Sequence, residues 1–181
     1  DLYLYYMSKY LVMDCYFYIF IDSKKVDELL TMLATETSGD LTKIKIVHIN
    51  IDDLLMYKYK DRITQIMSDK SRLDKIDANK SSPEFNIPDY NIVVNSKVDL
   101  MYRASSDNPF NTDYFIWLDG GYGHGRATIP EKWNPNNILV EDKISVLCLM
   151  PPYNISEDRV EFFNKHIDVV NGGMFSGKKE T

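Results

Sequence analysis

An alternation of two periodicities constrains this chain most. CYFYIFID, Cys15 to Asp22, is a short β-rich run ending in an acid. Val26, Leu29, Leu30 and Leu33 follow at the i, i+3, i+4, i+7 spacing of one helical face. IKIVHI, Ile44 to Ile49, is a second apolar run, and Leu55, Tyr59, Ile63 and Ile66 mark another helical face. Strand, helix, strand, helix in close succession predicts an α/β fold, its mostly parallel sheet joined by crossover helices. Ser23 is placed to cap the first helix, Ser38-Gly39-Asp40 to end it, and Asp52 or Asp53 to cap the second.

The remaining segments fit that frame. Leu2 to Met13 is apolar all round and reads as a buried helix. Residues 68–88 are polar, lack an apolar period and read as a surface excursion; a plain loop or a lid both fit. Helical spacing returns from Asn91 to Ala104 through Val94, Val98 and Met101, and a turn-rich loop, Ser105 to Asp113, ends it. Tyr114 to Leu118 and Ile144 to Met150 read as further buried strands. Ser156 to His166 reads as a helix with Glu157 and Asp158 in its first turn. Asn171-Gly172-Gly173 reads as a turn.

Composition then removes several classes. A length of 181 residues suits a single domain, 1–181, with its own core. The net charge is -6, with basic and acidic residues interspersed, which argues against a nucleic-acid binder. Cys15 and Cys148 form no C-x-x-C pair, so a structural zinc site is not expected; two free buried thiols or a disulfide both fit. No apolar run is long enough to span a bilayer, and no signal peptide is visible, so a cytoplasmic location is expected. The chain opens at Asp1 without methionine and stops at Thr181 soon after an apolar stretch; both ends read as cut from a longer protein.

The stretch YFIWLDGGYGHGR, Tyr114 to Arg126, holds the candidate site. Five apolar residues run into Asp119, and glycines surround it. A carboxylate carried to the end of a buried strand needs a cation or hydrogen-bond donors. Gly120, Gly121, Gly123 and Gly125 let backbone approach a ligand. Such a combination suits a divalent cation bridging to a phosphate oxygen. An aspartate that merely closes a glycine turn also fits.

Read together, PDYNIVVNSKVDLM, NPFNTDYFIWLDGGYGH and VVNGGMF resemble the HtrL/YibB-type proteins, also called the WlaTC/HtrL family of glycosyltransferases. The likeness covers nearly the whole chain and is strongest from Asp89 to His124. It implies a GT-A-like, Rossmann-like domain that takes a nucleotide-sugar donor and a glycan acceptor, as in polysaccharide biosynthesis. By that analogy Asp119 stands where such transferases carry a D-x-D motif. Here the motif is D-G-G, one carboxylate instead of two, so a Mn2+ or Mg2+ ion and a metal-independent mode both stay open. Under the resemblance Asp119 is the catalytic and metal residue, with His124 as a second ligand. Lys97, Gly120, Gly121, Tyr122, Arg126, Asn171, Gly172 and Gly173 would hold the donor. Lys97 lies beside the Val94, Val98, Met101 stripe, where a cation reaches a phosphate or snorkels into solvent. Trp133 is a candidate sugar platform, Asp113 a weak candidate base, and Trp117, His48 and His166 read as structural. A non-catalytic nucleotide- or carbohydrate-binding relative remains the alternative.

Overall fold

The computed structural model describes residues 2–11, 13–36, 40–76, 80–122, 139–149 and 170–180. These residues fall into two compact units. One is drawn from Asp1–Asn50, Leu100–Val146 and Gly172–Thr181, the other from Ile51–Asp99 and Leu147–Asn171.

The first unit opens with helix α1, Leu2–Ser8, followed by strand β1, Phe17–Asp22, helix α2, Val26–Glu36, and strand β2, Ile44–Ile49. β1 and β2 pair in parallel, from Phe17 beside Ile44 to Asp22 beside Ile49. This is the β-α-β unit that the alternation predicts. Its core gathers Leu11, Ile19, Ile21, Val26, Leu29, Met32 and Leu33, with Leu4, Met7 and Phe17 packed against it. Leu30, expected on the buried face of α2, is 49% exposed, and Met32 is buried instead. The cap also differs by one residue. Asp22 accepts from the Lys24 amide at 2.8 Å and opens a 3-10 turn, Ser23–Lys25, ahead of α2. An aspartate ahead of the turn takes the position that Ser23 was expected to hold.

The sheet does not continue as a parallel one. β3, Tyr114–Leu118, pairs antiparallel with β5, Val170–Lys178, from Tyr114 beside Lys178 to Leu118 beside Met174. β4, Ser145–Cys148, completes a three-stranded sheet of order β3-β5-β4. The fold is therefore mixed α/β, with one parallel strand pair and a separate antiparallel sheet. This corrects the expectation of a mostly parallel, Rossmann-like sheet. An apolar run ending in an acid specifies a strand but not its partner's direction. Asn171-Gly172-Gly173, expected as a turn, is extended chain within β5.

The second unit begins with two 3-10 stretches, Ile51–Asp53 and Leu55–Tyr59, that lead into α3, Lys60–Ser68. Their three-residue period breaks the helical face read from Leu55 to Ile66. Leu54 is buried, whereas Leu55 and Tyr59 are exposed. The polar excursion contains two short helices, α4, Lys70–Leu73, and α5, Pro83–Asn86. α6, Pro88–Asp107, is longer than its apolar spacing suggested and belongs to the first unit from Leu100 onward. Its buried line is Ile92, Ser96, Leu100 and Ala104, four residues apart; Val98 is 71% exposed. Lys60 pairs with Asp89 at 2.8 Å within this unit. Neither cysteine is in a disulfide, and Cys148 is exposed rather than buried.

Candidate functional site

Side chains two apart on a strand share a face, and at the carboxyl end of β3 that rule joins Trp117 to Asp119. The Trp117 indole N–H donates to Asp119 Oδ1 at 2.7 Å. The ring stacks on Phe175, its cross-strand partner, with centroids 6.0 Å apart and planes 11° from parallel. Half-buried Asp119 is thus oriented by an aromatic that is itself clamped in the sheet. The main chain holds it as well: the Asp119 amide donates to the Gly173 carbonyl at 2.9 Å.

That bond extends the β3–β5 ladder by one residue and sets Gly173 opposite Asp119. Gly173 has no side chain, so nothing from that position crowds the carboxylate. Gly120 follows Asp119 in the chain, and Gly172, next to Gly173 in β5, projects from the opposite face of that strand. A Cβ added at either would meet no heavy atom within 4 Å, and neither has a positive φ. The described fold does not require glycine at these two positions for space or for backbone conformation. The result is a shelf of bare backbone around one oriented carboxylate.

The turn after Asp119 closes through the main chain. The Tyr122 amide donates to the Asp119 carbonyl at 2.9 Å, and buried Gly121 lies between them. The Tyr10 hydroxyl then donates to the Tyr122 carbonyl, tying the turn to the segment after α1. Burial pushes the Tyr10 hydroxyl up to about 12, and the nearby Tyr122 and Asp119 add to the shift.

The predicted residues divide by place. Asp119, Gly120, Gly121, Tyr122, Gly172 and Gly173 lie together in the first unit, and Asn171 is the second residue of β5. Lys97 is half-buried in the second unit. His124, Arg126, Trp133, His166 and the helix expected over Ser156 to His166 lie outside the described residues. Asp113 precedes β3 at its opposite end, roughly 20 Å from Asp119 at the usual rise per strand residue, so it is no base for this site. Ser96, inside the stretch PDYNIVVNSKVDLM, is fully buried: it donates to the Ile92 carbonyl at 2.8 Å and accepts from the Met56 amide at 3.4 Å. Its place is structural.

Two contributors escaped the sequence reading. Trp117 was read as structural, although its spacing from Asp119 was the available signal. Tyr10 lies 112 residues from Tyr122, and nothing local announces their bond.

Among the described residues, no group of three or more His, Cys, Asp or Glu side chains is placed to hold a metal ion. Asp119 brings one carboxylate, with one oxygen engaged by an indole, and that alone does not make a metal cage. No helix among the described residues is long and apolar enough to cross a membrane.

Fold and site together define a mixed α/β protein with an oriented aspartate on a glycine shelf at the end of an antiparallel strand pair. The chain belongs to the HtrL/YibB family: the model of that family, described as a bacterial protein of unknown function, matches residues 1–181. No curated protein and no solved structure matches the chain.

Proposed function

We propose that this chain is a glycosyltransferase that moves a sugar from a nucleotide-sugar donor to a glycan acceptor. The observation that carries the reading is the shelf. One oriented carboxylate lies opposite Gly173, which brings no side chain to that face, and is followed by Gly120, where the described fold does not require glycine. Bare backbone beside a fixed acceptor suits a ligand rich in hydroxyl groups and phosphate oxygens, whose approach a Cβ would obstruct.

In this reading Asp119 accepts hydrogen bonds from the donor's hydroxyl groups, and the Trp117 indole keeps the carboxylate aimed. A carboxylate alone repels a diphosphate. Asp119 is the one described acid that could hold a manganese or magnesium ion, which would supply positive charge to the diphosphate, and Arg126, a few residues along the chain, would offset the leaving charge. In the transfer, an acceptor hydroxyl oxygen bonds the donor's anomeric carbon. The bond from that carbon to the diphosphate oxygen breaks, the nucleoside diphosphate leaves with the electron pair, and the hydroxyl proton passes to solvent. Stabilising the departing diphosphate is the main electrostatic task.

The test is release of nucleoside diphosphate from a panel of nucleotide-sugars, with and without manganese, by the wild type and Asp119→Asn. Release from one donor, reduced at least ~100-fold in the variant as for loss of a key polar group, supports the reading. Donor binding without release would instead make the chain a non-catalytic binder.

A further inference from the structure

The first unit contains a cavity of about 420 Å³. Its wall comes from α1 and the segment after it, β1, the end of α6, the loop that follows, and β3. Met7, Tyr16, Met101, Phe110 and Trp117 represent those surfaces, and Gly120 stands at its edge. Tyr16 and Phe110 stack there, with centroids 4.7 Å apart. The cavity exceeds the roughly 150 Å³ known to admit a benzene molecule and falls within the usual range for small-ligand sites.

Several polar groups on this wall are turned to protein partners. The Tyr10 hydroxyl donates to the Tyr122 carbonyl, and the Tyr18 hydroxyl donates to Asp107 Oδ2 at 3.0 Å. Asn108 Nδ2 donates to the Thr112 carbonyl at 2.9 Å, while its Oδ1 accepts from the Thr112 amide at 2.9 Å. Asn108 and Asn111 adopt positive φ, 36 and 52°, which shapes the loop around that exchange. Burial also raises the Cys15 thiol above its ordinary value, which keeps it neutral. Most of the lining residues are apolar and the groups just named are already committed, so few polar partners remain for water, which needs two to four. The matching occupant is hydrocarbon. Met7, Met13 and Met101 lie among the rings, and methionine adapts to an unbranched chain better than to a rigid plane.

The cavity adjoins the shelf. Trp117 lines it and also donates to Asp119 Oδ1, while Gly120 lines it and follows Asp119 directly. We propose that the cavity receives the alkyl chain of an amphipathic acceptor whose polar head lies at the Asp119 shelf, so that the acceptor glycan is lipid-linked and not a free sugar. This rests on the reading of the shelf as a glycosyl-transfer site.

The test uses hexyl, octyl and decyl β-glucoside below their micellar concentrations, with glucose as the control. The chain has two tryptophans, so Trp133→Phe leaves Trp117 as the sole reporter. The expected result is a saturable change in Trp117 emission that glucose does not produce. Affinity should rise roughly fourfold per methylene, the equivalent of about 0.8 kcal/mol, until the cavity is filled. Ala104→Phe, which adds a ring to the wall, should weaken decyl glucoside at least tenfold. In the wild type, decyl glucoside should slow maleimide labelling of Cys15, on the wall, and leave exposed Cys148 unaffected; this arm needs no folded cavity variant.

Three results would overturn the proposal: no saturable response at any chain length, an equal response to glucose, or affinity for phenyl β-glucoside above that for the decyl compound. Capture by phospholipid vesicles without binding of monomeric decyl glucoside would also overturn it, by making the apolar contact a membrane one. Stabilisation by nucleotide-sugar separates the two claims. If it persists while the alkyl compounds fail, only the cavity assignment falls; if both fail, the transferase reading falls with it.

Discussion

FYIFID and YFIWLD are nearly the same sentence written twice. Each is five apolar residues ending in an aspartate, Asp22 in one and Asp119 in the other. The fold uses them differently. Phe17–Asp22 lies parallel to β2, buries Ile19 and Ile21, and spends its aspartate on the Lys24 amide, where it opens the turn into α2. Tyr114–Leu118 lies antiparallel to β5, its residues are all half-buried, and its aspartate is held by an indole. The residues that follow decide between the two. Ser23-Lys24-Lys25-Val26 continues into a helix, whereas Gly120-Gly121 leaves the backbone bare. A strand-end carboxylate is a cap where a helix follows and a candidate ligand group where glycines follow.

The comparison breaks first at the core. Leu29 is fully buried against β1 and β2, so Leu29→Ala should destabilise the protein by about 2–5 kcal/mol in urea unfolding. No single truncation on the half-buried β3 face should approach that. A loss below about 1 kcal/mol, the ordinary effect of a surface change, would mean that the β-α-β unit is not the stable half of the pair.

Alkaline titration sharpens the other side. Tyr10, raised to about 12, keeps its proton in the folded state where an unfolded tyrosine loses it near pH 10. Between those values the unfolded state binds fewer protons, so stability falls as pH rises. Unfolding followed by circular dichroism from pH 9 to pH 12 should show that decline, and Tyr10→Phe should flatten part of it. An unchanged slope in the variant would place Tyr10 outside the turn it is said to hold.

Trp117→Phe keeps a ring against Phe175 and removes the donor to Asp119. It should cost about 1 kcal/mol, the usual net worth of one hydrogen bond, and should weaken nucleotide-sugar binding more than that loss implies. Equal binding would show that Asp119 needs no aiming. The smallest effect on the fold is expected at Gly172→Ala. An added methyl meets nothing within 4 Å, and alanine suits a strand better than glycine. Stability should stay level or rise by up to about 1 kcal/mol. Calorimetry should show unchanged donor binding, because this methyl leaves the face of β5 opposite the one that Gly173 shares with Asp119; weaker binding would place the ligand on that other face.

How much of this was legible depends on range. Val26, Leu29 and Leu33 at helical spacing, between two apolar runs, specified the β-α-β unit because every signal in it is local. Asp119 was legible for the same reason. Strand direction was not: the pairing of Leu118 with Met174 joins distant segments, and nothing in YFIWL states whether its partner runs with or against it. The rule that places ligands at the carboxyl ends of parallel strands therefore rested on a parallel sheet to which β3 does not belong. The buried line of α6 was misread because Ser96, a polar residue, sits in the middle of it. Asn171-Gly172-Gly173 carries a turn signal, and cross-strand hydrogen bonding overrode it.

The central claim is that two aspartates at the ends of similar strands have different jobs. The most direct measurement is a thermal-shift screen against nucleotide-sugars, with and without manganese, of the wild type, Asp22→Asn and Asp119→Asn. The account predicts stabilisation of the wild type and Asp22→Asn by the same donor, and none of Asp119→Asn, which should melt close to the wild type when no donor is present. Loss of the shift in Asp22→Asn, or its survival in Asp119→Asn, would contradict the account.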